Sequence, residues 1–155
     1  MSNKYTFTEE PFSKEIYDET YPLLEEHWEE IATDKTVKLD PDFDNYQLLQ
    51  DTGHLHMLFC RNELNQIIGY MVTFLTPHIH YKDILYAQND LIYIHPDHRR
   101  GSLAARMLKI FEEHMKAKGV DIIHMHIKVA FEFGAMLTRV GYTHDENIYR
   151  KKIGD

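Results

Sequence analysis

The chain has 155 residues, of which 43% are hydrophobic and 12% aromatic, so it is long enough for one domain with a packed core. Its 17 basic and 25 acidic residues give a net charge of −8, which argues against nucleic-acid binding because phosphate contacts need a basic face. The single cysteine, Cys60, excludes an intrachain disulfide, and neither a signal peptide nor a membrane-spanning segment is recognisable. We expect one domain over residues 1–155, soluble and cytoplasmic, with no membrane or nucleic-acid partner.

Hydrophobic periodicity and turn residues predict ten helices and strands. In chain order they are a strand over 5–8, helices over 12–31 and 44–50, strands over 54–61, 66–75 and 81–94, a helix over 101–118, a strand over 121–127, a helix over 133–140 and a strand over 143–153. Pro22 is expected to break or kink the first helix, and the long third strand of the central group could be interrupted near Asn89. This order predicts an α/β fold (α+β with a mixed sheet) that carries helices on the sheet.

The segment between the strand 81–94 and the helix 101–118 has the layout of a phosphate site. An apolar run over 91–94 is followed by a short turn that contains Arg99, Arg100 and Gly101, and then by an amphipathic helix. The free N–H groups and partial positive charge of a helix start attract an anion, and the two arginines add charge. A solvated turn between a strand and a helix is the plainer interpretation of the same residues.

This segment resembles motif A of the GNAT superfamily of N-acetyltransferases, whose pattern is (Gln or Arg)-x-x-Gly-x-(Gly or Ala). Arg99 fills the first position and Ala104 the last, whereas Ser102 stands where the family usually has glycine. In the family, backbone N–H groups of this loop hold the pyrophosphate of acetyl-coenzyme A. The resemblance implies that acetyl-CoA is the co-substrate here and that its pyrophosphate is held by Arg99, Arg100, Gly101, Ser102, Leu103 and Ala104.

The order of elements is also that of the GNAT fold, so the resemblance covers essentially the whole chain. It implies a central mixed sheet flanked by about four helices, transfer of an acetyl group to a primary amine of a small molecule or peptide, and the possibility of a homodimer. The segments 24–30, 68–70 and 77–81 look like a GNAT subgroup common in tailed phages, which would give a host-cytoplasmic location. A degenerate GNAT domain that binds CoA or a protein without catalysis is the alternative.

Three candidate roles follow from the resemblance. The donor to the thioester carbonyl would be a backbone N–H between Ile92 and Ile94, with Ile94 the first choice. Counting back four residues from Ile94 gives Asp90, which would act as the base or bind the cationic amine; it could also cap a bulge with Asn89. The usual tyrosine acid is missing, because Leu137 holds its position. The thiolate would then leave unassisted, or catalysis has been lost.

Other polar residues have competing interpretations. Four glutamates of the first helix could border the acceptor groove or form a solvated face; they are Glu25, Glu26, Glu29 and Glu30. Three His-x-His pairs, at 54/56, 78/80 and 124/126, each place two imidazoles on one strand face, but no cysteine cluster or His-Glu-x-x-His motif accompanies them. We therefore expect no metal, and take His80 as a second candidate for the base or amine contact.

Overall fold

The computed structural model describes residues 4–154 and contains a five-stranded sheet, four α-helices and two 3₁₀ turns. The strands are β1 (Thr6–Glu9), β2 (Leu55–Arg61), β3 (Ile67–His78), β4 (Tyr81–Ile94) and β5 (Ile122–His124). The helices are α1 (Lys14–Ile31), α2 (Phe43–Asp51), α3 (Leu103–Ala117) and α4 (Gly134–Arg139). Short 3₁₀ turns cover Pro96–His98 and Val129–Phe131.

The sheet is mixed, with the strands in the order β1-β2-β3-β4-β5. The first four strands pair antiparallel; β2, β3 and β4 follow one another by short turns, whereas α1 and α2 lie between β1 and β2. β5 pairs parallel to β4, and α3 provides the crossover that parallel neighbours require. The predicted mixed sheet with about four helices is confirmed.

Helices cover both faces of the sheet. The apolar stripe of α3 recurs every four residues and packs with Leu58, Met71 and Ile94 on one face; its buried members are Leu103, Met107, Phe111 and Met115. On the other face, Ile16 and Leu23 of α1 pack with a second set of sheet side chains. Burial of each large apolar side chain stabilises the fold by about 1.5–3 kcal/mol.

Pro22 does not interrupt α1, which corrects the prediction of a broken or kinked helix. Ser13 caps the helix start by accepting a hydrogen bond from the Ile16 N–H at 3.1 Å. Proline has no backbone N–H, so one carbonyl of the preceding helix turn lacks its hydrogen bond. Because Pro22 is exposed, that carbonyl lies on the solvent side and can bind water. The packed apolar face on the opposite side holds the helix together.

The predicted last strand over 143–153 is not formed, and β5 is shorter than the predicted 121–127. Residues 143–153 contain only three large apolar side chains, and all of them are well exposed: Ile148, Tyr149 and Ile153. Charged residues fill most of the rest, so pairing this segment with the sheet would bury little apolar surface.

Among the described residues, no helix is both long and apolar enough to cross a bilayer.

Candidate active site

The turn before α3 leaves a row of backbone N–H groups without acceptors. Within it, the Arg100 N–H donates a hydrogen bond to a carbonyl of the 3₁₀ turn. The next backbone N–H along the chain that makes a hydrogen bond is that of Arg106, which donates to the Ser102 carbonyl oxygen at 2.8 Å. The N–H groups of residues 101–105 therefore have no acceptor within the described chain, which is the arrangement that binds an anion at a helix start.

Gly101 and Ser102 fit this turn in different ways. Gly101 has φ +64°, a left-handed conformation that favours glycine. Ser102 has φ −97° and ψ 14°, which any L-residue can adopt, and its side chain is exposed. The serine that departs from the usual glycine of motif A therefore does not strain the backbone.

The Arg99 side chain is tied to its own protein. Its terminal nitrogens each lie 2.7 Å from one carboxylate oxygen of Glu30, on α1. Its Nε donates to the Ile94 carbonyl at 2.6 Å, and the guanidinium lies over the Tyr93 ring. The hydrogen bond from Arg99 lowers the pKa of Glu30 despite partial burial. Arg99 thus joins α1 to the end of β4, while Arg100 is exposed on the same turn.

Beyond residues 86–88, the edge of β4 that faces β5 is unpaired. The His95 N–H donates to Ile68 of β3 at 2.8 Å, and bonded and non-bonded pairs alternate along an antiparallel ladder. Ile92 and Ile94 fall at non-bonded positions of that ladder, so their N–H and C=O groups point away from β3. Both N–H groups are therefore directed at the open edge of β4, which is the direction that the candidate carbonyl donors require.

Asn89 fixes the point where β4 and β5 separate. Its side-chain Nδ2 donates to the His126 carbonyl at 2.9 Å, and its Oδ1 accepts a hydrogen bond from the His126 N–H. Asn89 is buried, so this side-chain amide replaces the backbone ladder that ends at Gln88 and His124. Backbone pairing between β4 and β5 does not continue beyond this bridge in the described part of the chain.

Asp90 lies at a bulge in β4. Val72 pairs with Leu91 and Thr73 pairs with Asn89, which leaves Asp90 without a partner across the ladder. A bulge adds one residue to a strand and reverses the faces of the residues that follow it. The strand is continuous through this point, and the irregularity predicted near Asn89 is this bulge.

The Asp90 carboxylate lies between protein and an open cavity. Tyr46 of α2 donates its hydroxyl hydrogen to Oδ2 of Asp90 at 3.3 Å. Partial burial raises the pKa of Asp90, and the hydrogen bond from Tyr46 opposes that rise. A carboxylate in this environment is a better proton acceptor than an ordinary surface aspartate.

The cavity beside Asp90 has a volume of about 610 Å³ and opens between α1, the loop that follows it, and β4. Its apolar wall includes Leu24, Trp28 and Leu91. Its charged side chains are of both signs: Asp34, Asp40, Asp90, Lys38, Lys128 and Arg150. Asp34 already pairs with Lys152 at 2.9 Å, so Asp40 and Asp90 are the acidic groups left to meet a cation.

His27 also lines this cavity, and the sequence analysis did not single it out. Its Nδ1 lies 2.6 Å from the hydroxyl of Tyr70, and its ring stacks on Tyr93 with centroids 4.4 Å apart. Burial lowers the pKa of His27 to about 4, so the ring is neutral at pH 7. Only its helical spacing from Leu23 and Leu24 was visible in the sequence, and that spacing indicates a core position.

The structure does not bring His80 to this cavity. His80 lies in the exposed turn between β3 and β4, where its N–H donates to Nδ1 of His78. Nine strand residues separate that turn from Asp90, or roughly 25–30 Å of extended chain. The two candidate bases of the sequence analysis therefore cannot act on the same substrate within one chain.

The glutamates of α1 serve its own surroundings, and none of the four lines the cavity among the described residues. Glu30 binds Arg99, Glu29 lies 3.4 Å from Lys35, and Glu26 lies 3.2 Å from the His95 ring. These three glutamates therefore contact other side chains of the protein rather than the cavity.

The sequence lacks the tyrosine that usually serves as the acid. Among the described residues that line the cavity beside Asp90, Tyr46 is the only tyrosine. Leu137 is buried in the core, and Tyr149 is almost fully exposed. Tyr142 borders a second, smaller cavity against the C-terminal half of α3, where burial raises its pKa.

Three comparisons with known proteins bear on this geometry. Residues 14–138 match the model of the acetyltransferase (GNAT) family. Among curated proteins, no sequence match reaches significance. The fold is similar to that of several solved acetyltransferases.

One is an aminoglycoside acetyltransferase, meta-AAC0020, from an uncultured soil metagenomic sample. It shares 13% sequence identity with this chain and superposes with a TM-score of 0.76, and the match covers 99% of this chain and 97% of that one. A second is the ribosomal-protein-alanine N-acetyltransferase of Brucella melitensis biovar Abortus 2308: 18% identity, TM-score 0.71, covering 96% and 100%. A third is a predicted acetyltransferase from Clostridium acetobutylicum, solved with acetyl-CoA: 13% identity, TM-score 0.70, covering 96% of each chain. The family match spans most of the sequence and agrees with the open β4 edge and the helix-start anion site: this chain is an acetyltransferase of the GNAT family.

Proposed function

We propose that this protein transfers the acetyl group of acetyl-CoA to a primary amine by direct attack. The observation that carries the proposal is the open edge of β4, where the N–H groups of Ile92 and Ile94 point outward between two features. On one side lies the anion-binding start of α3, and on the other the cavity that contains Asp90. Two substrates can thus meet at one backbone edge, and holding them together supplies much of the rate.

Acetyl-CoA fits the groups that this chain offers. The acceptor-free N–H groups of residues 101–105 suit a pyrophosphate, and the exposed Arg100 adds positive charge. The space beside Gly101 is open, because apart from its chain neighbours no atom of the described chain lies within 4 Å of where a Cβ would be. The bound thioester would supply an activated carbonyl. Arg99 acts as a positioning residue that fixes this turn against α1 through Glu30.

The reaction needs a neutral amine and a polarised carbonyl. The N–H of Ile94, or of Ile92, donates a hydrogen bond to the thioester oxygen and stabilises the charge that develops there. Asp90 accepts the proton of the attacking amine, directly or through a water. The new carbon–nitrogen bond forms as the carbon–sulfur bond breaks, and the electron pair leaves with the sulfur. Neutral His27 contributes a ring on the same wall and keeps positive charge away from the amine.

The thiolate leaves without a tyrosine acid in this proposal. Leu137 is buried, and the phenol nearest to Asp90, Tyr46, donates its hydrogen to that carboxylate. A thiol has a reference pKa of about 8.5, so its anion is a tolerable leaving group near neutral pH. Solvent then protonates the released sulfur.

The acceptor is a primary amine on a small molecule or a peptide. Asp40 and Asp90 can meet an ammonium group, while Lys128 and Arg150 on the same cavity suit an acceptor that also carries an anionic or strongly polar group. Similar folds include an enzyme named for aminoglycosides and one named for a ribosomal-protein alanine, so both classes of acceptor deserve testing. The phage subgroup and a homodimer remain inferences from the sequence resemblance.

The test is release of CoA from acetyl-CoA with a panel of aminoglycosides, polyamines, lysine peptides and peptides with free N-termini. We expect saturable turnover with at least one of them, and acetylated product by mass spectrometry. Acetyl-CoA binding with no turnover on any acceptor would instead support the degenerate, non-catalytic domain.

A further inference from the structure

Three potential metal ligands meet on the α3 face of the sheet, away from the cavity of Asp90. They come from three elements: Glu9 of β1, His56 of β2 and His114 of α3, and their ligand atoms all lie within 4.8 Å of one another. His114 follows the α3 start by eleven residues, or about 17 Å along the helix axis. The cluster is therefore separate from the proposed acetyl-CoA site.

The distances suit one ion. His56 Nε2 lies 3.1 Å from His114 Nδ1, and Glu9 Oε2 lies 3.9 and 4.0 Å from those two nitrogens. Zinc binds imidazole nitrogen at about 2.0–2.1 Å and carboxylate oxygen at about 2.0–2.2 Å. A point about 2.05 Å from both nitrogens, on the side of the glutamate, falls about 2.3 Å from Oε2. A shift of a few tenths of an ångström in one carboxylate would complete the contact.

His56 is the buried member of the cluster. Its side chain is fully inaccessible to solvent. Packing against Phe111 fixes its ring, with centroids 5.8 Å apart. Its Nδ1 has no hydrogen-bond partner in the described part of the chain, so the buried ring makes its polar contact on the Nε2 side alone.

The surrounding charges leave one side of the cluster open. Lys118 donates to Glu9 Oε1 at 2.8 Å, which fixes the carboxylate but leaves Oε2 facing the two imidazoles. The side chains of Glu9 and His114 are 39% and 29% exposed, so solvent can reach the fourth coordination position. The positive charge of Lys118 weakens cation binding at this site, and the negative charge of the Glu9 carboxylate offsets that effect.

We propose that Glu9, His56 and His114 form a zinc site with a water as the fourth ligand. The two nitrogen donors and one carboxylate are ligands that zinc accepts, and three protein ligands plus water is a common coordination. The proposal departs from the sequence-based expectation of no metal. The His-x-His pairs misled that expectation, because the site uses one histidine of a strand and one of a helix, whereas His54 is exposed just before β2. A bound ion would tie the edge strand β1 to α3.

The experiment uses the full chain after dialysis against EDTA, titrated with zinc chloride alone and followed by calorimetry and thermal unfolding. We expect one ion per chain and a rise in Tm. His114→Ala should weaken zinc binding by more than the 10–100-fold that loss of an outer-shell partner costs, and Glu9→Gln should weaken it as well. His114 and Glu9 are partly exposed, so both variants should fold.

Two controls make the outcome decisive. His78→Ala with His80→Ala removes a histidine pair at the β3–β4 turn, where His78 is partly buried and His80 exposed, and should leave the zinc affinity unchanged. Cobalt should give the visible absorption bands of a tetrahedral nitrogen and oxygen site in the wild type and lose them in His114→Ala. Absence of stoichiometric zinc binding, or equal binding by the wild type and His114→Ala, would overturn the proposal. None of these readouts depends on acetyl transfer.

Discussion

Arg99 and Glu30 face each other in a two-pronged contact, with each terminal guanidinium nitrogen 2.7 Å from one carboxylate oxygen. The same arginine donates its Nε to the carbonyl of Ile94, so one side chain connects α1, the end of β4 and the turn that begins α3. Motif A places an arginine here, yet its charged end is used inside the protein. In the proposed site, phosphate binding would therefore fall to backbone N–H groups and Arg100.

Glu30→Gln should loosen this connection and weaken acetyl-CoA binding indirectly. The two-pronged contact is partly exposed, so we expect about a threefold to tenfold rise in the KM for acetyl-CoA with little change in kcat. Glu29→Gln is the matched control, since Glu29 pairs with Lys35 on the surface. Equal KM values for the two variants would remove the positioning role of Arg99.

Asp90→Asn should lower turnover by about 10²–10⁴ while acetyl-CoA affinity changes little, because loss of a general base acts on the chemical step. Steady-state rates with a good acceptor, beside calorimetric titration with acetyl-CoA, measure both quantities. Asp40→Asn changes a carboxylate on the same cavity and should raise the KM for the amine more than it lowers kcat. An unchanged kcat in Asp90→Asn would point to His27 or to a water relay without a carboxylate.

Ser102→Glu should abolish acetyl-CoA binding, since it sets a negative charge against the pyrophosphate at the start of α3. In the wild type, acetyl-CoA at 100 times its dissociation constant should add about 2.7 kcal/mol to the unfolding free energy. Ser102→Gly restores the usual motif and should keep that stabilisation. A thermal shift that survives in Ser102→Glu would show that the phosphate site lies elsewhere.

The sequence predicted the order of elements well because α3 and the central strands have strong apolar periodicity. It failed where tertiary packing decides: exposed Pro22 is tolerated in α1, and the polar tail over 143–153 finds no apolar surface to bury. It located Asp90 by counting along β4, although the bulge that turns this side chain towards the cavity is a three-dimensional feature. The position of His27 could not be predicted, since a buried histidine on a cavity wall has the same helical spacing as a core residue.

Stability should fall as the pH drops from about 6.5 towards 4. Burial lowers the pKa values of His27 and His56 to about 4 in the folded chain, against 6.5 when unfolded. In that window the unfolded chain binds protons that the folded chain does not, so each histidine removes about 2 kcal/mol of stability between pH 7 and pH 5. Above pH 6.5 both histidines are neutral in the folded and the unfolded chain, so neither lowers the stability.

Urea unfolding in EDTA at pH 7 and pH 5 measures this dependence. His27→Gln should remove about half of the histidine contribution. The linkage fails if wild type and His27→Gln lose the same stability between the two pH values.

Leu137→Tyr should destabilise the protein by about 1–3 kcal/mol and should not raise kcat. Leu137 is buried among apolar side chains, so a phenol there overpacks the core and strands its hydroxyl. Thr138→Tyr, on the exposed face of the same helix, is the control for stability. The wild-type rate should show no falling limb from a tyrosine near pH 10. A faster Leu137→Tyr enzyme that gains such a limb would establish that an acid at this position can protonate the sulfur.

The most direct measurement is a titration of isotope-labelled protein with acetyl-CoA, followed through the NMR signals of individual backbone amides. We expect saturable shifts at residues 101–105 together with Ile92 and Ile94, because these N–H groups would donate hydrogen bonds to the pyrophosphate and the thioester carbonyl. Signals of the β3–β4 turn around His80 should not move. Saturation that shifts other amides while Ile92, Ile94 and residues 101–105 stay unchanged would contradict the proposed site.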